Sequence, residues 1–515
     1  MMTRKNEKAE YGDFQTPPAL ARTVCSLLAE HGLKAAALLE PTCGRGSLLF
    51  AGLEQFPEIQ RAIGADISAD YIEQARALLL QRPDAKKADL VHGDFFVMDW
   101  ERLISELPEP ILVLGNPPWV TNAHLGTLGS RNLPVKENFQ RHSGLDAITG
   151  KANFDISEWM LIHLLEALNG RRGTLAMLCK ATTARKTLQY AWKKGLALEH
   201  PAIYGIDAEL HFGAAVDAVL LVAHLRPGAH SREAKVYRQM RETSTDKMIG
   251  YEDGVLLADI ASYHQWKHLC GDGTLKWRSG IKHDCARIME LQREGHKYRN
   301  GLGDVVDLED TYLYPMLKGS GVAKSDNRAG RRVMLVTQKT PGEPTDRIKD
   351  EAPRTWAYLN CHADILRQRA SSIYRGRPAF SIFGIGDYSF APWKVAISGF
   401  YKKLAFVTIG PLDCRPVVLD DTSYFLPCQE REQANYLAGL LNSAPAQSFY
   451  QAFVFWDSKR PITAELLRRL DLRRLAGELG SVDEFDGRFG RPENHAQAAV
   501  RKRRRDAAQL DLWPT

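Results

Sequence analysis

A chain of 515 residues, 44% hydrophobic and 25% charged, is long enough for two or three hydrophobic cores and too apolar to be disordered throughout. No apolar run approaches the ~18 residues that signal a membrane span, and the polar opening MMTRKNEKAE lacks the apolar stretch of a secretory leader, so a cytoplasmic protein is expected. The net charge of +6 is too small to argue for a nucleic-acid partner, yet residues 331–410 hold 13 Lys and Arg against 6 Asp and Glu, a surplus larger than that of the whole chain.

From Leu38 to about Leu225 short apolar runs alternate with longer amphipathic stretches, which predicts a mainly parallel sheet flanked by helices. Strands are expected near 36–39, 61–65, 88–92, 111–115, 173–179, 200–205 and 216–223, and helices over Ser68–Leu80 and Asp155–Leu168, where apolar residues recur at three- and four-residue steps. Residues 227–300 are polar and irregular and read as a connection. Beyond them lies a second domain richer in aromatics, Gly and Pro, with β-like runs at 333–337, 394–398, 404–408 and 416–419, closed by helices at Glu430–Leu441 and Ile462–Leu475. The expected division is 1–228, a connecting region 229–300, a domain 301–480 and a basic tail 481–515. Within that tail, Arg501–Arg505 either helps bind phosphate or is a solvated end. Eight cysteines, at 25, 43, 179, 270, 285, 361, 414 and 428, form no CxxC pair and no Cys/His cluster, so free thiols and no metal are expected.

The segment LLEPTCGRGSLL runs from an apolar strand into Glu40-Pro41 and Gly44-x-Gly46 before a helix. Glycines at such a turn let the backbone pass close to a ligand, and the helix start offers unpaired N–H groups. Asp66 ends the next strand, about 20 residues on, the spacing at which a carboxylate meets a ribose diol. A tight turn followed by a solvated Asp would show the same pattern. Two details favour S-adenosylmethionine over a dinucleotide: the loop has two glycines where a pyrophosphate wants three, and Glu40 suits a cationic cofactor better than a phosphate. At the third strand end, in Gly93-Asp94-Phe95-Phe96, a carboxylate can accept from an adenine amino group while an aromatic neighbour covers the ring.

The fourth strand end carries Asn116-Pro117-Pro118-Trp119 directly after ILVLG. An exocyclic amino group on an aromatic ring is a poor nucleophile because its lone pair is delocalised. Two acceptors on its two protons, the Asn116 side-chain oxygen and the Pro117 carbonyl, draw it toward tetrahedral geometry and aim the lone pair at a methyl group. The prolines stiffen the loop, and Trp119 offers a face to a base turned out of a duplex, a contact worth about 1–3 kcal/mol. Direct displacement requires neither a Cys nucleophile nor a metal.

With these motifs the chain resembles the γ-class, TaqI-like N6-adenine DNA methyltransferases of type II restriction-modification systems. Tyr11 to Pro17 is similar to the family's N-terminal cofactor motif, which implies a methionine contact for Thr16. Glu40 to Gly46 is similar to its glycine motif, Asp66-Ile67 to its ribose-binding pair, Asp94-Phe95 to its adenine-contacting pair and Asn116 to Trp119 to its catalytic motif, with Trp where Tyr or Phe is commoner. Asn153-Phe154-Asp155 opens the following helix, on which the resemblance makes Trp159 a second wall for the cofactor's adenine, and in LHFGAAVDAVLLVAHL, just before the antiparallel strand, it makes Phe212 a second base-stacking aromatic; core packing would account for both nearly as well.

The resemblance implies a Rossmann-like S-adenosylmethionine-dependent methyltransferase sheet of seven strands, the last pair antiparallel, followed by an α+β target-recognition domain. Segments 312–320, 372–403 and 455–463 are similar to recognition domains, with aromatics interleaved among Arg375, Arg377, Trp393, Lys394, Lys402 and Lys403 as the DNA-contacting cluster. Duplex DNA in a basic cleft is the expected partner, a separately encoded restriction endonuclease a possible one, and the protein is expected to be a monomer. N4-cytosine methylation uses the same tetrapeptide chemistry. Methylation of protein glutamine or ribosomal RNA would not need the ~290 further residues, and a silent DNA-binding subunit would be expected to have lost Asn116, Glu40 or Asp66.

Overall fold

The computed structural model describes residues 14–120, 155–324 and 331–491. Tyr11, Gly12, Asp13, Asn153, Phe154 and the Arg501–Arg505 run lie outside the described residues. Contacts divide the chain into two units, Met1–Ile260 and Ala261–Thr515.

The first unit is built on a sheet whose strands are β1 (Ala37–Glu40), β2 (Arg61–Asp66), β3 (Ala88–His92), β4 (Ile111–Gly115), β5 (Gly173–Lys180), β6 (Leu198–Ile206), β7 (Ala218–Leu225), β8 (Glu233–Tyr237), β9 (Lys247–Glu252) and β10 (Val255–Leu257). Their order is β10-β9-β8-β6-β7-β5-β4-β1-β2-β3. The stretch from β3 to β5 is parallel, whereas β7 runs antiparallel to both β5 and β6. β1 and β4 are buried along their whole length, because a central parallel strand is covered on both faces; both are apolar up to the strand end, where β1 closes on the buried Glu40. Helices α1 (Pro18–Glu30), α2 (Ser47–Gln55), α3 (Ala69–Leu79), α4 (Trp100–Ser105), α5 (Ile156–Leu168), α6 (Ala181–Lys194) and α7 (Ala208–Phe212) complete the unit. Ser68 caps α3 by accepting from the Tyr71 N–H at 3.4 Å, and Asp155 caps α5 by accepting from the Ser157 N–H at 3.2 Å.

The sheet is larger than the seven strands expected. β8, β9 and β10 extend its edge beyond β6, so the first part of the segment read as an irregular connection is sheet. Short edge strands with one wet face carry many polar residues, which is why their sequence looks like a linker.

The second unit contains two smaller sheets. One orders Arg278–Ser279, Ser423–Cys428, Trp393–Ser398 and Val407–Ile409, and the other Val305–Val306, Lys297–Arg299, Glu290–Glu294, Arg332–Leu335, Leu313–Leu317 and Val418–Leu419. The helix expected over Ile462–Leu475 is two short ones, Ala464–Arg468 and Leu472–Glu478. Asp471 interrupts it by capping the second, accepting from Arg473 N–H at 2.9 Å, while Leu470 bridges back to Cys270.

Candidate active site

Four parallel strands of the first unit end on the same edge of the sheet, and each delivers one part of a site. At the end of β1, Glu40 is only 2% exposed and its Oε2 accepts from the Leu49 N–H at 2.7 Å, tying the carboxylate to the first turn of α2. Burial pushes this carboxyl well above the usual carboxylate range, and the nearby Asp66 charge adds to the shift. The loop that follows needs its glycines: Gly44 has φ +49° and Gly46 φ +81°, and a Cβ at Gly44 would collide with the Gln15 side-chain amide.

At the end of β2, Asp66 uses both carboxylate oxygens on backbone, accepting from Gly44 N–H and from Ser68 N–H, each at 2.8 Å. The strand-end acid and the glycine loop, 22 residues apart, are thereby joined. Ile67 is 41% exposed beside them. The Thr42 hydroxyl in the same loop is buried without a hydrogen-bond partner among the described residues.

Asp94, beyond the end of β3, accepts from Phe96 N–H through Oδ1 at 2.9 Å. Phe95, the expected adenine contact, turns its ring into the core, where it packs 4.8 Å from Trp100. Both rings reach Trp159, Phe95 edge-on at 6.0 Å and the half-buried Phe96 at 5.1 Å between ring centres. Trp159 is itself stacked on His163 at 5.1 Å, one helical turn along α5. His163 was not singled out in the sequence, although its i+4 spacing from Trp159 was there to read.

Beyond β4, Asn116 is tethered by its amide: Nδ2 donates to the Phe14 carbonyl at 2.7 Å and to Thr16 Oγ1 at 3.3 Å. The Phe14 carbonyl can only accept, which settles which end is the NH₂. The other end, Oδ1, is buried and has no hydrogen-bond partner among the described residues. Thr16 thus touches the tetrapeptide. Pro117 is buried and Pro118 half-buried. Trp119 is 5% exposed, donates through Nε1 to the Leu178 carbonyl at 3.3 Å, and lies 5.4 Å from the Phe14 ring and 5.1 Å from that of Phe212. Phe212 lies beside the Asn116–Trp119 loop, in a three-ring cluster with Phe14 and Trp119. Lys180 at the end of β5 donates to the Trp119 carbonyl at 2.7 Å. Neither Phe14 nor Lys180 was picked out from the sequence; the signal available for Lys180 was a lone charge closing the apolar run GTLAMLC.

In the second unit the expected DNA-contacting residues divide. Arg375 and Arg377 are exposed and pair with no carboxylate among the described residues. Their turn contains Gly376 at φ +67° and is braced by Arg369, whose guanidinium lies 3.6 Å from the centre of the Tyr374 ring. Trp393 is packed against a core cluster under Arg431. Lys394 corrects the expectation: it is 1% exposed, donates to the Ala391 carbonyl at 2.5 Å, and burial pulls its ammonium down to about 7. A cation enclosed in this way cannot reach a phosphate.

No family model matches the chain. Over 470 residues it is 46% identical to the type II methyltransferase M.NspV of Nostoc sp., covering 91% of this chain and 98% of that protein. The chain belongs to the type II methyltransferases. Among solved structures, the type IIL restriction-modification enzyme MmeI, determined in complex with DNA, matches with a TM-score of 0.53 at 14% identity, over 92% of this chain and 68% of that one. That likeness is one of fold. Within this type II methyltransferase, the glycine loop, the three strand-end acids Glu40, Asp66 and Asp94 and the Asn-Pro-Pro-Trp loop all lie at the carboxyl edge of one parallel sheet.

Proposed function

We propose that this type II methyltransferase transfers a methyl group from S-adenosylmethionine to N6 of an adenine turned out of duplex DNA, in the manner of the γ class, and protects host DNA in a restriction-modification system whose endonuclease is separately encoded. One observation carries the reading: the Asn116 amide is anchored through its nitrogen and leaves Oδ1 buried and without a partner among the described residues. An unsatisfied buried acceptor costs about 1–3 kcal/mol, and this one lies in the loop at the carboxyl edge of the sheet, where a bound base supplies the missing proton.

The residues suited to hold the cofactor are Glu40, Gly44, Gly46, Asp66, Ile67, Asp94, Phe96 and Trp159, with the orphaned Thr42 hydroxyl as a further donor. When bound, the cofactor supplies an electrophilic methyl group on a sulfonium. Asn116 Oδ1 and the Pro117 carbonyl accept the two amino protons of the base, the lone pair moves toward tetrahedral character, and the excess proton leaves to water after transfer. Trp119, Phe14 and Phe212 offer the aromatic wall for the flipped base. Target recognition is assigned to the second unit, with Arg375 and Arg377 as its exposed cations.

Expressing the gene in a host free of DNA methylation and mapping modified bases by long-read sequencing tests this reading. N6-methyladenine at one recurring sequence is expected. N4-methylcytosine would replace the adenine assignment, and an unmodified genome would contradict the function.

A further inference from the structure

The far end of the catalytic loop is held by a charge pair that the transfer chemistry itself does not use. Lys180 Nζ lies 2.7 Å from the Trp119 carbonyl oxygen and 2.6 Å from Asp155 Oδ2. Both side chains are largely enclosed, at 23% and 11% exposure. Asp155 spends its other oxygen on Ser157, accepting from the hydroxyl at 2.5 Å and from the N–H at 3.2 Å. Next to it, the Ile156 N–H donates to the Val120 carbonyl at 3.0 Å, so the exit of the loop and the start of α5 are stitched together. Lys180 is itself fixed, since it closes β5 and pairs with Ala218 of β7 in the middle of the sheet. A charged donor shared between a peptide carbonyl and a carboxylate in an enclosed place is a stronger tether than a neutral hydrogen bond.

We propose that Lys180, buttressed by Asp155, is a positioning residue for methyl transfer: it anchors the Trp119 end of the loop, as Phe14 and Thr16 anchor the Asn116 end, so that both proton acceptors converge on the target amine. The proposal rests on the reading of Asn116–Trp119 as the catalytic loop. Lys180 touches neither base nor cofactor in this scheme. Its loss therefore lowers kcat and leaves binding in place.

The test uses the full chain, tritiated S-adenosylmethionine and unmethylated plasmid DNA, comparing wild type with Lys180→Met, Lys180→Arg, Asp155→Asn and the Lys180→Met/Asp155→Asn double variant. Lys180→Met is expected to lower kcat by roughly 10- to 100-fold with KM for cofactor and DNA within about threefold of wild type. Lys180→Arg, which keeps the charge and the donors, recovers a substantial part. The double variant is no slower than Lys180→Met alone, because the two residues act as a unit. A kcat for Lys180→Met within threefold of wild type, a rise in KM that accounts for the whole loss, or an arginine variant as slow as the methionine one would overturn the proposal. Should Lys180→Met fail to fold, as judged by circular dichroism, the arginine and Asp155→Asn variants decide on the same kcat and KM criteria. Wild-type protein that transfers no methyl group would overturn the reading of the loop itself, and this proposal with it.

Discussion

Polar groups in the two units are held in opposite ways. At the carboxyl edge of the large sheet, carboxylates, glycine N–H groups and the Asn116 amide nitrogen are tied to backbone, while Asn116 Oδ1 and the Thr42 hydroxyl are enclosed without a partner among the described residues. In the second unit the cations of the expected DNA-contacting cluster separate into those that face water, Arg375, Arg377, Lys402 and Lys403, and one that the core has swallowed, Lys394. The first arrangement is preorganised, in that its geometry is set before any substrate arrives. The second is adaptive, since free guanidiniums on a braced turn gain their partners only on binding.

The sharpest way to break this contrast is to remove the enclosed acceptor. Asn116→Ala is expected to lower kcat by about 10³-fold or more, comparable to losing an oxyanion-hole donor, while the far-ultraviolet circular dichroism spectrum stays unchanged. A smaller loss is expected at the cofactor loop. Asp66→Ala frees the Gly44 and Ser68 N–H groups and should raise KM for S-adenosylmethionine by about 10- to 100-fold, with a lesser effect on kcat, measured by initial rates.

In the second unit, Arg375→Ala and Arg377→Ala should each weaken DNA binding severalfold and reduce the salt slope by about 1 by fluorescence anisotropy, whereas Lys394→Met should leave both within error. Lys394 instead marks stability. Its ammonium is lowered to about 7 from 10.5, so between those values the unfolded chain binds more protons than the folded one, and stability rises with pH across that window. Lys394→Met should lose that rise in urea denaturation followed from pH 7 to 10. The smallest effect concerns Glu40. Its carboxyl is raised by burial, and a cationic cofactor beside it favours the ionised form, so binding releases a proton. S-adenosylmethionine affinity should therefore grow modestly as pH increases, with a binding enthalpy that depends on the buffer's ionisation heat in calorimetry.

Much of the first unit could be read in advance because its constraints are local. A tight turn needs Gly44 and Gly46, a strand end places Asp66, and a stiff loop needs Pro117 and Pro118. Contacts across the fold were not readable. Nothing near Asn116 in the chain points to Phe14 as its tether, about a hundred residues away, and nothing in Gly93-Asp94-Phe95-Phe96 says which ring turns inward. In the second unit charge was mistaken for exposure: Lys394 alternates with apolar neighbours in a strand, and burial of that face took the ammonium with it. Short polar strands toward the sheet edge, β8 and β9, hid as a linker for the converse reason.

The central claim is that Asn116 contributes an acceptor rather than bulk. Single-turnover methyl transfer by Asn116→Asp and Asn116→Ala, with DNA affinity measured in parallel, tests it directly. With both variants binding DNA within about threefold of wild type, the aspartate variant, which keeps an acceptor oxygen although it loses the amide bond to the Phe14 carbonyl, is expected to transfer faster than the alanine variant. Equal rates for the two would contradict the account.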